Sequence, residues 1–114
     1  MADDFNMFTE KELGVISARE ELLLSIDEAE WSWLRPHLER GGLILVDDSL
    51  DLADAALKVA SDDAATVEKW INAGKIGKPN QAQQRIWDAE KGKRFAMLVV
   101  NPYVFIQEKL PTLH

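Results

Sequence analysis

Residues Asp27–Leu52 read DEAEWSWLRPHLERGGLILVDDSLDL, and the order of signals in this stretch decides the fold class. Ser25 with Glu28, or Asp27 with Glu30, has the spacing of a capped helix start. Glu28 and Glu30 would also complement the positive end of a helix dipole. Trp31, Leu34 and Leu38 then fall at i, i+3 and i+7, one inward stripe. Trp33 and His37 lie four apart on a neighbouring face. Pro36 has no amide to bond Ser32 and crowds that carbonyl, which predicts a kink or a restart. Gly41 and Gly42 end the helix, one of them in a left-handed conformation. Leu43–Val46 is a short run rich in branched apolar side chains and reads as a buried strand. Asp47-Asp48-Ser49 turns the chain, and Asp48 or Ser49 caps the next helix. Helix, strand and helix in so short a span describe an α+β domain.

Working outward, residues 1–17 form an acidic leader, partly mobile or loosely helical, with Phe5, Met7 and Phe8 as clip-on contacts. Thr9 and Glu12 have capping-box spacing for a first helix over about residues 10–24. Gly14 weakens its early turns, so the helix is firmest from Ala18 onward. Downstream of the turn, Leu50, Ala53, Leu57 and Ala60 make one apolar line. Leu52, Ala56 and Val59 widen it, and Asp51, Asp54 and Lys58 are the polar stripe. Ser61 or Asp62 caps a further helix with Ala64, Val67, Trp70 and Ile71 inward. After Gly74 the segment Lys75–Lys78 is a linker, and Pro79 suits a first helical turn. The helix that follows shows Ala82, Ile86 and Ala89 on one face and stops at Gly92. The apolar stretch beyond is interrupted at Asn101-Pro102, because proline cannot donate to a strand ladder. Two strands, about 94–100 and 103–108, are expected.

The whole is a single α+β domain over residues 18–108, followed by a tail at 109–114. Four to five helices are expected on one side of a small sheet of about three strands. Leu43–Val46 beside Phe95–Val100 would bury both apolar runs, and a parallel pairing would require a right-handed crossover.

Composition narrows the function classes. One domain is what 114 residues allow, and about two-thirds of the unfolded surface is buried at that size. Cysteine is absent, which removes disulfides, thiolate catalysis and thiolate metal frameworks, and fits a cytoplasmic location. The formal charge is −7, so phosphate backbones and anionic membranes are unfavourable partners. No basic, apolar secretion signal opens the chain, and its longest apolar run, Phe95–Val100, is too short to span a bilayer. No cofactor and no metal is expected.

The candidate chemistry is thin. Asp47, Asp48 and Asp51 follow a buried strand, where ligands of sheet proteins often sit, and carboxylates there can hold Mg²⁺ or polarise water. Capping explains the same residues, and a calcium loop would need a central glycine and a closing glutamate that are missing. Asp62-Asp63 also sits where a cap belongs. His37 has no nucleophile or orienting group in register and is expected to flank Trp33 and bond a neighbouring carbonyl or carboxylate. Gly74–Pro79 lacks the spacing of a phosphate loop and follows a helix. Four tryptophans are many for this length. Trp31 and Trp70 lie on core stripes, whereas Trp33 and Trp87 lie off them and, if exposed, are interface anchors.

Taken together, DEAEWSWLRPHLERGGLILVDDSLDL, ASDDAATVEKWINAGKIGKP and KRFAMLVVNPYVFIQE resemble a family of small bacterial proteins, domain of unknown function 2288. The resemblance covers about residues 18–108, with the blocks in family order. Asp48 stands where proline is common in that family, a change compatible with a turn. The resemblance implies a bacterial, cytoplasmic, stand-alone protein and carries no activity or site residue with it. The expected function is a non-enzymatic protein-interaction or homo-oligomeric assembly module, with a homodimer through a sheet edge or through a helix face bearing Trp33 or Trp87. The alternative is a small-molecule or metal-assisted enzyme built around Arg35, His37, Asp47 and Asp51.

Overall fold

In a computed structural model of the protein, the described residues are 18–110. Along the chain run α1 (18–24), β1 (Asp27–Glu30), α2 (Trp31–Glu39), β2 (Leu43–Val46) and α3 (Leu52–Ala60). Then follow α4 (Ala64–Asn72), β3 (Ile76–Gly77), α5 (Gln81–Ala89), β4 (Arg94–Val100) and β5 (Tyr103–Gln107). The acidic leader expected at residues 1–17 lies outside the described residues.

Among the described residues the sheet has five strands in the order β1-β4-β5-β2-β3, not about three. β4 and β5 are the two strands expected on either side of Asn101-Pro102, and they pair antiparallel as a hairpin. β2 lies parallel to β5, with Leu43 opposite Val104 and Leu45 opposite Ile106, and not beside β4. The hairpin explains the difference. β5 folds back along β4 and takes the central place next to β2, while the other edge of β4 accepts β1.

β1 corrects the reading of DEAE as a helix cap. Only Ala29 of the strand is buried, and the acids belong to a sheet edge, where charge is tolerated. Helix α2 therefore starts later, at Trp31, and Glu30 gives it no side-chain cap. Its first amide is held instead by the sheet, since Trp31 N donates to the Lys93 carbonyl at 2.9 Å. β3 is the other strand hidden from the sequence. Its two residues pair with Leu45 and Val46 where a linker was expected.

Alternation along the strands sends side chains to both faces, and helices cover both, not one side alone. Trp31, Leu34 and Leu38 of α2 and Trp87 of α5 pack on Leu43, Phe95, Val104 and Ile106. On the opposite face Leu52, Ala55 and Ala56 of α3 pack on Val46, Ala96, Leu98 and Phe105, with Leu22 of α1 and Val67 and Trp70 of α4 around them. A sheet apolar on both faces needs two covering layers.

Pro36 lies within α2, which continues unbroken past it. The orphaned Ser32 carbonyl belongs to an exposed residue, and Leu34 and Leu38 are both anchored in the core. The helix then ends as expected. Gly41 has φ +82°, its amide donates to Leu38, and the Gly42 amide donates to His37, a Schellman pair. Gly42 is closely approached, since a Cβ there would lie 3.1 Å from the Pro102 carbonyl oxygen.

Three other local readings change. Asp51, not Asp48 or Ser49, caps α3, accepting from the amides of Ala53 and Asp54. Asp63 caps α4, as expected of one member of the Asp62-Asp63 pair and in place of Ser61 or Asp62, while Asp62 sits at φ +58°. Asn80 caps α5 in a capping box with Gln83, so Pro79 precedes the helix. On α5 the face of Ala82, Ile86 and Ala89 turns outward, and Trp87, which lies off it, is buried. Ala60, Ala64 and Ile71 are likewise exposed.

Candidate functional site

Trp33 is 60% exposed, the most exposed aromatic side chain among the described residues. The helical period explains why. Trp31, Leu34 and Leu38 aim at the sheet and Arg35 leans toward α5, so Trp33 and His37 fall on the opposite flank of α2. Their rings are 5.8 Å apart, which bears out the expected Trp33–His37 neighbourhood. The imidazole makes no hydrogen bond among the described residues, although one to a carbonyl or carboxylate was expected.

Below this flank lies a groove of about 390 Å³ lined by β1, Ser32, Trp33, Arg94 and Met97. Met97 and Val99 follow Phe95 on the same face of β4. Phe95 is sealed by Trp31 and Trp87, Met97 is half-buried, and Val99 is 48% exposed. The cover of the sheet thus thins toward the carboxyl end of β4, and the indole of Trp33 stands at that margin. Asp27, Glu28 and Glu30 supply the polar wall. Arg94 Nε reaches Glu28 at 2.9 Å and Arg94 Nη1 reaches Glu30 at 3.9 Å, so the one guanidinium of the groove is shared by two of its three carboxylates. Asp27 Oδ1 accepts from the Glu28 amide at 2.8 Å and has no ion-pair partner among the described residues.

Trp87 does not join Trp33 at the surface. It is 3% exposed, with its ring 4.9 Å from Trp31 and 4.7 Å from Phe95, both edge-on. Trp31 Nε1 donates to Asp88 Oδ1 at 2.7 Å, and Arg35 reaches the same oxygen at 3.2 Å. This cluster is core with one polar exit. Trp31 is core as expected, and Trp70 is half-buried against the other cluster.

The four residues of the enzymatic alternative are not brought together. Arg35 is paired with Asp88 and Glu39 on the α5 side of α2, and His37 lies on the other flank. Asp47 lies at the carboxyl end of β2, the end away from α2, and salt-bridges Lys75 at 3.7 Å. Asp51 is occupied as a cap and by Arg19 at 2.8 Å. Asp47 does line a cleft of about 310 Å³, with Asp48, Lys75, Lys78, Asn80, Gln83 and Glu108 among its walls. Hydrogen bonds from the Ser49 hydroxyl and amide, then Lys75, hold the Asp47 carboxyl below the ordinary aspartate value. Among the described residues no group of three or more His, Asp or Glu is placed to hold a metal ion, and no helix is long and apolar enough to cross a membrane.

Sequence reasoning found Trp33 and missed the rest of the groove. Met97 reads as one more apolar strand residue. Asp27 and Arg94 gain meaning only once β1 pairs with β4.

Comparison with known proteins gives a family model, Protein of unknown function (DUF2288), matching residues 17–108. No curated protein matches. Among solved structures, the NMR solution structure of PA1075 from Pseudomonas aeruginosa is similar, with 32% identity and a TM-score of 0.70. The match covers 86% of this chain and 92% of that one.

Proposed function

The chain belongs to the DUF2288 family, proteins of unknown function, and on that premise we propose that it is a protein-interaction module whose anchor is Trp33. The observation that carries this reading is an indole standing open beside half-buried Met97 in one groove. Exposed tryptophans beside a groove are the side chains on which binding energy concentrates, and losing such an anchor costs about 2 kcal/mol or more, roughly 30-fold in Kd. Of the two expected partners, another protein is favoured over a second copy. Two copies of an acidic groove repel, and the net charge of −7 adds to this.

The test is photocrosslinking in cells, with a benzophenone amino acid in place of Trp33 and, as control, of the exposed Ile71 on α4. An adduct formed at position 33 and not at 71 is expected, and its mass beyond the 12.9 kDa chain separates a foreign partner from self-assembly. No adduct at 33, or the same adducts at both positions, would count against the module.

A second reading rests on the cleft beside Asp47, whose mixed lysines and carboxylates suit a small polar ligand. Thermal-shift screening with such ligands and with Mg²⁺ or Mn²⁺ tests it. A melting increase that Asp47→Asn abolishes would favour it.

A further inference from the structure

The reading of Trp33 as an anchor leaves the chemistry of its partner open, and the strand beside it supplies that chemistry. β1 is the first strand in the sheet order, so among the described residues its outer edge has no neighbour. An unpaired edge presents amides and carbonyls to which an extended segment can add as a further strand, the Glu28 amide here exchanging its bond to Asp27 Oδ1 for one to the segment. The opposite edge is less suited: β3 has two residues, against four in β1.

The side chains of β1 then select what may add. Asp27 and Ala29 point to the α2 face, and Glu28 and Glu30 point to the other, so an incoming strand meets carboxylates on both faces. Arg94 serves Glu28 and Glu30 from within the sheet and leaves Asp27 unmatched among the described residues. Like charges directly opposite destabilise strand pairs and unlike charges stabilise them. Setting DEAE against a second DEAE fails this test. A lysine- or arginine-bearing segment passes it. On the α2 face, an apolar side chain of the same segment would meet Trp33 and Met97 in the groove of about 390 Å³.

We propose that the outer edge of β1 accepts an extended, basic segment of a partner protein as a sixth strand, with an apolar side chain of that segment seated on Trp33 and Met97. This deepens the anchor reading and rests on it.

The experiment uses the full chain and a short synthetic peptide alternating lysine with valine. Its two controls are a counterpart with glutamate for lysine and a version methylated on its central backbone amides. Amide shifts by NMR locate binding, and fluorescence titration measures it at low and high salt. The lysine peptide is expected to shift the amides of residues 27–30 and the Trp33 indole, and to weaken as salt rises. Charge reversal of the peptide, methylation, or Asp27→Lys with Glu30→Lys in the protein should each weaken binding about tenfold or more. Both substituted side chains are exposed, and circular dichroism checks that the variant folds.

No binding by the lysine peptide, equal binding by the glutamate peptide, or indifference to methylation would overturn strand addition while leaving crosslinking at position 33 intact. Trp33→Ala is expected to release the peptide. Undiminished binding by Trp33→Ala would instead overturn the anchor reading and, with it, the seat proposed here.

Discussion

Single carboxylates on this surface are tied to backbone amides, and Asp63 shows what that implies for pH. It caps α4 by accepting from the Thr66 amide at 3.3 Å and lies 3.4 Å from Lys58 Nζ. The Thr66 amide first, then its hydroxyl and Lys58, hold the carboxyl below the ordinary value of 3.8. A carboxyl depressed in the folded state contributes stability above its unfolded pKa, and that contribution is lost as pH falls through the folded one. Asp63→Asn keeps a good capping side chain and removes the titration. Melting temperatures followed from about pH 5 to pH 2 should therefore fall less steeply in Asp63→Asn than in the parent. Parallel curves would show that this carboxylate does not contribute to the acid limb.

At the scale of elements, what could be read in advance was whatever depends on neighbours along the chain. The stop at Gly41-Gly42, the β2 run and the break at Asn101-Pro102 are local signals, and all three are present. Elements that exist because of distant partners were hidden. β1 is four residues with acids at three of them, and only pairing with β4 makes it a strand. β3 is two residues defined by Leu45 and Val46. On α5 the apolar spacing of Ala82, Ile86 and Ala89 outvoted a single Trp87. One large ring wedged between Trp31 and Phe95 nevertheless decided which face turned inward. The groove was half legible for the same reason, with Trp33 visible on its helical wheel and Met97, Asp27 and Arg94 not. The helix stop can be tested directly. Gly41 sits at φ +82° with nothing within 4 Å of an added Cβ, so a substitution there meets strain without a clash. Gly41→Ala should cost about 1 kcal/mol in urea unfolding, and Gly41→Asn less, because asparagine tolerates the left-handed region. Equal losses would mean that the terminus relaxes out of that conformation.

At the scale of the whole molecule, one sheet serves two apolar layers. Phe95 and Ile106 turn to the layer holding Trp31 and Trp87, while Leu98 and Phe105 turn to the layer under α3. Neighbouring residues on one strand belong to different clusters, so neither layer can loosen without disturbing the ladder that both share. With Trp33 and Trp70 replaced by phenylalanine, the fluorescence of the buried Trp31–Trp87 pair reports on a cluster that Phe105 does not join. Phe105→Leu removes volume from the far layer and should cost roughly 1–3 kcal/mol. Each kcal/mol lowers Tm by about 4–8 °C for a domain near this size. If the layers are one cooperative unit, the indole emission and the far-ultraviolet circular dichroism must shift together, by the same amount, in a single transition. An indole transition that stays in place while the dichroism moves would show instead that the two faces of the sheet unfold separately.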